Sequence, residues 1–121
     1  MDYSQLSDFE INKRVAETTG EQVEETYQFV NGGEDIADHM SGIVLMRKIT
    51  SNRKHWRLYD PCNSAADAWP IIEKQLIRIM PVVIGEKTQW VCSRDIHASA
   101  SEKPLRAAMI VFLQMQDAKH A

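Results

Sequence analysis

The stretch Pro104–Gln116, PLRAAMIVFLQMQ, decides the fold because it is apolar on nearly every side of a helix. Proline suits the first turn of a helix, where its missing N–H costs nothing, so we predict a last helix from Pro104 to about residue 117. A helix on the protein surface has a single apolar stripe, whereas this one is apolar on nearly every face from Leu105 to Met115. It should therefore lie at the centre of the fold, or present one side to a partner.

Five strands are predicted, each a run rich in β-branched and aromatic residues that is bounded by turn residues. The predicted strands are Thr26–Val30, Ile43–Ile49, Trp56–Tyr59, Leu76–Ile84 and Thr88–Ser93. Pro81 cannot donate a ladder hydrogen bond, so the fourth of these strands should be an edge strand or contain a bulge. We predict a polar loop for Arg94–Lys103.

A first helix is predicted over residues 7–19. The segment Ser7–Glu10, SDFE, matches a capping box, in which the two end residues satisfy free N–H groups at a helix start. Gly20 supplies the stop signal. Asn12 falls within the apolar arc of this helix, and a buried amide bonded to nearby backbone is favoured over a functional role.

A middle helix is predicted over residues 65–75, because Ser64 is followed by an aspartate three positions later. Pro70 lies inside this helix and removes a backbone hydrogen bond, so we expect a kink or a break after Trp69. We expect Trp69 to lie in one core with Ile72, Leu105, Met109 and Phe112. Truncating a tryptophan in such a core should cost about 3–5 kcal/mol.

The predicted fold class is α+β. The order is αβββαββα, and consecutive hairpins favour three helices packed on a mainly antiparallel sheet of about five strands. A chain of 121 residues fits one domain, residues 1–121. No apolar run approaches the ~20 residues of a membrane span. The opening MDYSQLSDFE lacks the basic and apolar regions of a secretory signal.

Catalytic and metal-binding motifs are absent from the sequence, which contains no GxGxxG, P-loop, GxSxG or HExxH. The four histidines are scattered and the two cysteines form no CxxC or CxxH pattern, so we expect no metal ion and no cofactor. Cys62 precedes a helix start, which could lower the pKa of its thiol, but reduced structural thiols are favoured for Cys62 and Cys92. We therefore expect that the protein is not an enzyme.

Charge is unevenly distributed along the chain. Residues 1–38 hold ten acids and two bases, residues 39–58 hold five bases and no acid, and residues 59–121 hold seven of each. The acidic first third could meet a basic protein surface, because electrostatic complementarity speeds association and sets specificity. The candidate partner-binding residues are Glu21, Glu24, Glu25, Glu34, Asp35 and Asp38. A solvated surface is the alternative for any one of them.

The basic segment at residues 47–57 is the alternative binding surface, for nucleic acid. Basic side chains there could follow phosphates while aromatic side chains stack on bases. The candidate residues are Arg47, Lys48, Arg53, Lys54, Trp56 and Arg57. Against this function, strand alternation should divide the charges between two faces, and a charged hairpin tip also protects a sheet edge from aggregation.

Three stretches at the start, middle and end of the chain are long enough for comparison with known families: DYSQLSDFEINKRVAE (Asp2–Glu17), YDPCNSAADAWPII (Tyr59–Ile72) and PLRAAMIVFLQMQ (Pro104–Gln116). They resemble the NinX-like proteins of lambdoid bacteriophages, in the same order along the chain. Residues 21–58 and 85–101 show no such resemblance to the eye. The resemblance implies a small phage accessory protein in the cytoplasm of an infected bacterium, without a membrane association, and it implies no mechanism.

The resulting hypothesis is a phage accessory protein that binds a host or phage macromolecule, such as a host factor that it modulates or a defence protein that it counters. A protein partner is favoured, by analogy with other small phage proteins. A nucleic-acid-binding module is the alternative. The sequence leaves the oligomeric state open.

Overall fold

The computed structural model of the chain describes residues 2–27, 43–47 and 57–120. Within these residues, a short 3-10 turn at Tyr3–Gln5 precedes elements in the order αβββαβββα. The helices are α1 (Asp8–Thr19), α2 (Ala65–Gln75) and α3 (Pro104–Lys119). The strands are β1 (Val23–Tyr27), β2 (Ile43–Arg47), β3 (Arg57–Tyr59), β4 (Arg78–Ile84), β5 (Lys87–Arg94) and β6 (His97–Ser101).

The strands form two antiparallel sheets, so the α+β class is confirmed and the prediction of a single sheet of about five strands is wrong. Sheet 1 has the order β1-β2-β3 and sheet 2 the order β4-β5-β6. The sixth strand lies in Arg94–Lys103, where we predicted a loop. Asp95 and Ile96 form a tight turn there, and Asp95 adopts the positive φ of 56° that such hairpin turns require. The small polar residues of β6, HASAS, carry little hydrophobic pattern.

The strand starts differ from the predicted ones by two residues or more at β1 and β4, and β5 is one residue longer at each end. β1 begins at Val23, three residues earlier than predicted, and residues 28–30 lie outside the described part of the chain. β4 begins at Arg78 and not at Leu76, because Leu76 ends α2 in the left-handed conformation with φ of 55°. Pro81 lies on β4, which is an edge strand of sheet 2 as predicted.

Helix α3 lies at the centre of the fold, as its apolar circumference predicts. It packs against α1 and α2 on one side and against sheet 2 on the other, and residues 107–113 are all buried. Helix α1 in turn packs on β2 of sheet 1. The layers are therefore sheet 1, α1, α3 and sheet 2, with the main core around α3 and a smaller cluster of Ala16, Leu45 and Tyr59 between α1 and sheet 1.

Helix α1 begins and ends as its capping signals predict. Ser7 Oγ accepts a hydrogen bond from the backbone N–H of Glu10 at 3.1 Å. At the other end, Gly20 has a φ of 76°, the left-handed conformation in which glycine pays no Cβ penalty.

Replacement of Ser7 by alanine should lower the free energy of unfolding by about 1 kcal/mol, because a helix N–H loses its acceptor. Urea denaturation measures this loss, and Ser7→Thr, which keeps a side-chain oxygen, is the matched control. Equal losses in the two variants would show that the cap contributes nothing to stability.

Helix α2 runs without a break across Pro70, so a break after Trp69 is wrong. The helix is held at both ends: Ser64 Oγ accepts from the Asp67 N–H, and the N–H of Leu76 bonds to carbonyls of the last turn. Burial of Ala68 and Ile72 against the core adds to this and outweighs the single hydrogen bond that proline removes.

The predicted core is confirmed except for its tryptophan. Ile72, Met109 and Phe112 are buried and Leu105 packs against them, whereas Trp69 is 55% exposed. The buried stripe of α2 consists of Ala68 and Ile72, and Trp69 lies on the neighbouring stripe, which faces solvent.

Candidate functional site

Sheet 1 brings the two charged segments of the sequence together. The described candidates are Glu21, Glu24 and Glu25 at β1, and Arg47 and Arg57 on β2 and β3. The remaining candidates, Glu34, Asp35, Asp38, Lys48, Arg53, Lys54 and Trp56, lie outside the described residues.

Two of the described glutamates form ion pairs within the chain. Glu21 Oε2 lies 3.0 Å from Arg47 Nε, and Glu25 Oε1 lies 2.7 Å from Lys13 Nζ. Hydrogen bonding to the Glu25 carboxylate raises the pKa of Lys13. The acidic and basic candidates are therefore neighbours, and Glu21 of the acidic set compensates the charge of Arg47 of the basic set.

Strand register sorts the residues of sheet 1 onto two faces. Leu45 and Tyr59 are register partners and are buried, so their face packs towards α1. Glu24, Met46 and Leu58 are register partners in the next row, and strand alternation turns them to the opposite, outward face. We call this row the outward row of sheet 1. Leu58 is 45% exposed.

The two described basic candidates lie on one face. Arg47 and Arg57 are direct register partners on β2 and β3, and by alternation they share the face of Leu45 and Tyr59. The expectation that alternation divides the basic charges between two faces does not apply to this pair. Arg47 is nevertheless the residue that pairs with Glu21.

Asn12 is the buried polar residue at the start of α1, as predicted, with 5% exposure. Its Nδ2 donates to Asp60 Oδ1 at 2.7 Å, and its Oδ1 accepts from the backbone N–H of Cys62 at 3.0 Å. The backbone group is near in space but far along the sequence. Asn12 therefore joins α1 to the loop that precedes α2.

Asp8 makes the second connection of α1. Its carboxylate accepts hydrogen bonds from Arg106 Nη1 at 2.7 Å, from Asn63 Nδ2 at 3.1 Å and from Lys103 Nζ. Burial raises the pKa of Asp8, but the hydrogen bonds from Lys103, Asn63 and Arg106 outweigh it and hold that pKa below its usual value. Asp8 thus ties the start of α1 to the start of α3.

Sequence reasoning missed this polar network. A signal was present, because Asp8, Asn12, Asn63 and Arg106 all fall in the three stretches with family resemblance. Each carboxylate of the network accepts hydrogen bonds from other side chains of the same chain, which indicates that the network holds parts of the fold together.

The two cysteines are structural thiols. Both are buried and free, and burial raises the pKa of Cys62 to about 12 and that of Cys92 to about 11. The alternative of a lowered pKa at Cys62 is therefore wrong, because desolvation and the nearby carboxylates of Asp8 and Asp60 raise that pKa. Within the described residues, no group of three or more His, Cys, Asp or Glu side chains is arranged to hold a metal ion.

Large apolar side chains are exposed along α2 and β4. They are Trp69, Leu76, Met80, Val83 and Ile84. Trp69 and Leu76 border an open groove of about 500 Å³, whose other sides are Ile72, Glu73, Ile77 and Ile79. Trp69 Nε1 donates a hydrogen bond to Glu73 Oε2 at 2.9 Å, which fixes the indole at the groove.

Comparison with known proteins gives one family. A family model described as Bacteriophage P22, NinX matches residues 2–116, including residues 21–58 and 85–101, where inspection showed no resemblance. No curated protein and no solved structure matches the chain. None of the described helices combines the length and the apolar character needed to cross a membrane.

Proposed function

We propose that this chain, which belongs to the bacteriophage NinX family, is a phage accessory protein that binds another protein in the cytoplasm of the infected bacterium. Family membership supports the phage setting. The proposed binding surface is the outward row of sheet 1, in which Glu24 is the acidic residue, and the partner is a host or phage protein with a basic surface.

The outward row of sheet 1 is the observation that carries this proposal. Glu24 lies in register with Met46 and Leu58, so a carboxylate shares one face with a half-buried and an exposed apolar side chain. An apolar centre with a charged rim is the usual composition of a protein–protein interface.

The pairing between charged residues favours a protein partner over nucleic acid. Arg47 is held by Glu21 at 3.0 Å, so part of its charge is already compensated. Carboxylates beside a basic strand also repel phosphates, whereas they attract lysine and arginine of a protein surface.

The second candidate function is nucleic-acid binding. Arg47 and Arg57 are direct register partners on one face, which places their Cα atoms about 5 Å apart across the strands. The other basic candidates, Lys48, Arg53 and Lys54, and the aromatic candidate Trp56 lie between these two arginines in the sequence.

A binding role is also favoured over catalysis. The described carboxylates of the polar network, Asp8 and Asp60, both accept hydrogen bonds from Asn63, and each accepts a further bond from the same chain. Such carboxylates serve structure and are poorly placed to act as a general acid or base.

Reversal of Glu24, Asp35 and Asp38 to lysine should slow association with the partner by at least about tenfold, because charge complementarity acts mainly on the association rate. The partner is first captured with the unmodified chain from infected-cell lysate, identified and purified. Association and dissociation rates are then measured at several salt concentrations. An association rate unchanged by the reversal would contradict the proposal.

Replacement of Arg53, Lys54 and Arg57 by alanine is the matched control, and it should leave partner binding intact. The same triple variant tests the second function. Tight binding of the unmodified chain to nucleic acid at physiological salt, with a log–log salt slope of about −0.9 per duplex contact or −0.7 per single-strand contact, would favour that function if the triple variant abolishes it.

A further inference from the structure

Sheet 2 is packed on one face and exposed on the other. Ile79, Cys92 and Ser99 are register partners, and Ile79 and Cys92 belong to the main core, so their row lies on the face towards α3. Among the described helices, α3 is the one that packs extensively on this sheet. Strand alternation turns the neighbouring rows to the opposite face, which we call the outer face of sheet 2.

The outer face of sheet 2 is apolar at its centre. Met80, Val91 and Ala100 form one row across the three strands, and Val82 and Ile84 continue the apolar surface along β4. Met80 is 47% and Ile84 is 70% exposed. An antiparallel sheet with one face in water normally turns polar residues to that face, whereas β4 after its first residue is apolar on both faces. Exposed apolar clusters of this kind mark interaction sites in soluble proteins.

Two bases lie at the ends of this apolar surface. Arg78 begins β4 and Lys87 begins β5, and both belong to the rows that alternation turns outwards. Within the described part of the chain, neither side chain forms an ion pair. The three strands of sheet 2 contain no acid. Glu86 and Asp95 lie in the two hairpin turns, and Asp95 pairs with Arg94 at 3.3 Å. The outer face therefore carries positive charge at both ends.

The spacing of the two bases fits a helix that lies along the strands. Arg78 and Ile84, the register partner of Lys87, are six residues apart on β4, which corresponds to about 20 Å along a strand. A helix of about 13 residues has the same length. A sheet buries an apolar face by packing a helix on it, as α3 does on the inner face of sheet 2.

The charges argue against a second copy as the occupant. If two outer faces pack against each other, the bases of one copy meet either the bases or the apolar centre of the other copy, and the strands of neither copy offer an acid. Like charges brought together in this way disfavour association. A helix with acids at both ends of its apolar stripe compensates both bases instead.

We infer that the outer face of sheet 2 docks an amphipathic helix of a partner protein. Its apolar stripe covers Met80, Val82 and Ile84, and its acidic residues, about 13 positions apart, face Arg78 and Lys87. This site is separate from the proposed protein-binding surface, which lies on sheet 1 on the other side of α1 and α3. It also selects the opposite charge, because the outward row of sheet 1 faces a basic surface.

Two synthetic helical peptides test the inference. Each is about 14 residues long and has the same apolar stripe, and one carries glutamate and the other lysine at both ends of the stripe. Fluorescence anisotropy with the full chain measures their dissociation constants, and the glutamate peptide should bind at least about tenfold more tightly. Equal affinities, or binding of neither peptide, would overturn the inference. A chain that sediments as a dimer and binds neither peptide would identify a second copy as the occupant.

Neighbouring positions on β4 provide a matched pair of variants. Ile84→Asp places a carboxylate in the apolar centre and should weaken binding of the glutamate peptide more than about tenfold, because docking would bury an unpaired charge. Val83→Asp is the control, since Val83 is as exposed as Ile84, at 69% against 70%, but lies on the opposite face. Circular dichroism confirms that both variants are folded. Equal affinities of the two variants would show that the peptide binds elsewhere, and would overturn the inference.

Reversal of both bases tests the recognition of charge. A double variant that combines Arg78→Glu with Lys87→Glu should prefer the lysine peptide over the glutamate peptide. The charge-conserving double variant, Arg78→Lys with Lys87→Arg, should keep the preference of the unmodified chain. A reversed variant that still prefers the glutamate peptide would show that these two bases do not select the partner, and would overturn the inference.

Discussion

Met109→Ala should lower the free energy of unfolding by about 2–5 kcal/mol, whereas Trp69→Ala should lower it by less than about 1 kcal/mol. Met109 is completely buried in the middle of α3, so its truncation leaves a cavity between two layers of the fold. Trp69 is the larger side chain, but more than half of its surface is in solvent. The smaller side chain therefore has the larger effect.

Urea denaturation measures both values. Unchanged m-values would confirm that each variant unfolds as the parent does. Phe112→Ala, at a second buried position of α3, is a positive control and should resemble Met109→Ala. A loss for Trp69→Ala as large as that for Met109→Ala would show that the indole is part of the core after all.

The position of Trp69 could not be obtained from helical periodicity alone. Trp69 is three residues before Ile72 and four before Glu73, and both spacings are neighbours on a helix surface. Hydrophobicity assigned it to the side of Ile72. The structure assigns it to the side of Glu73 and Leu76, because the smaller Ala68 occupies the position that faces α3. A small residue at a close helix contact gives a weak hydrophobic signal.

Local signals predicted the helices well and the sheets less well. The caps at Ser7 and Ser64, and the apolar circumference of α3, are properties of a few consecutive residues. The division into two sheets depends on which strands pair, and pairing is decided by contacts between distant segments. β6 was missed because its serines and alanines neither alternate strongly nor carry β-branched side chains.

The same distinction applies to the candidate site. Charge runs located the acidic and basic segments, but the ion pair between Glu21 and Arg47 depends on the β1–β2 register, which places Val23 opposite Arg47. Asn12 was recognised as a buried amide from its place on α1. Its carboxylate partner, Asp60, lies in another part of the chain and had no local signal.

Asn12→Asp should lower the free energy of unfolding at pH 7 by on the order of 3 kcal/mol, although the two side chains have nearly the same shape. The carboxylate keeps an acceptor for the Cys62 N–H, but it replaces the Nδ2 donor that lies 2.7 Å from Asp60 Oδ1. Two carboxylates then face each other in a partly buried site, where like charges repel and neither can donate a hydrogen bond.

Acidification should restore much of this loss. Two facing carboxyl groups titrate as a pair, and the folded state holds a shared proton more tightly than the unfolded state does. A pKa raised by folding contributes stability that is present at low pH and lost as pH rises, so the deficit relative to the parent should shrink as pH falls towards about 4. The lowered pKa of Asp8 destabilises parent and variant alike on acidification, and it therefore cancels in the difference.

Asn12→Ala is the control, because it removes both hydrogen bonds without adding a charge and its deficit should not shrink in the same way. Urea unfolding of the three proteins between neutral and acidic pH makes the measurement, and a pH-independent deficit for Asn12→Asp would contradict the assignment of Asn12 as the donor that holds Asp60.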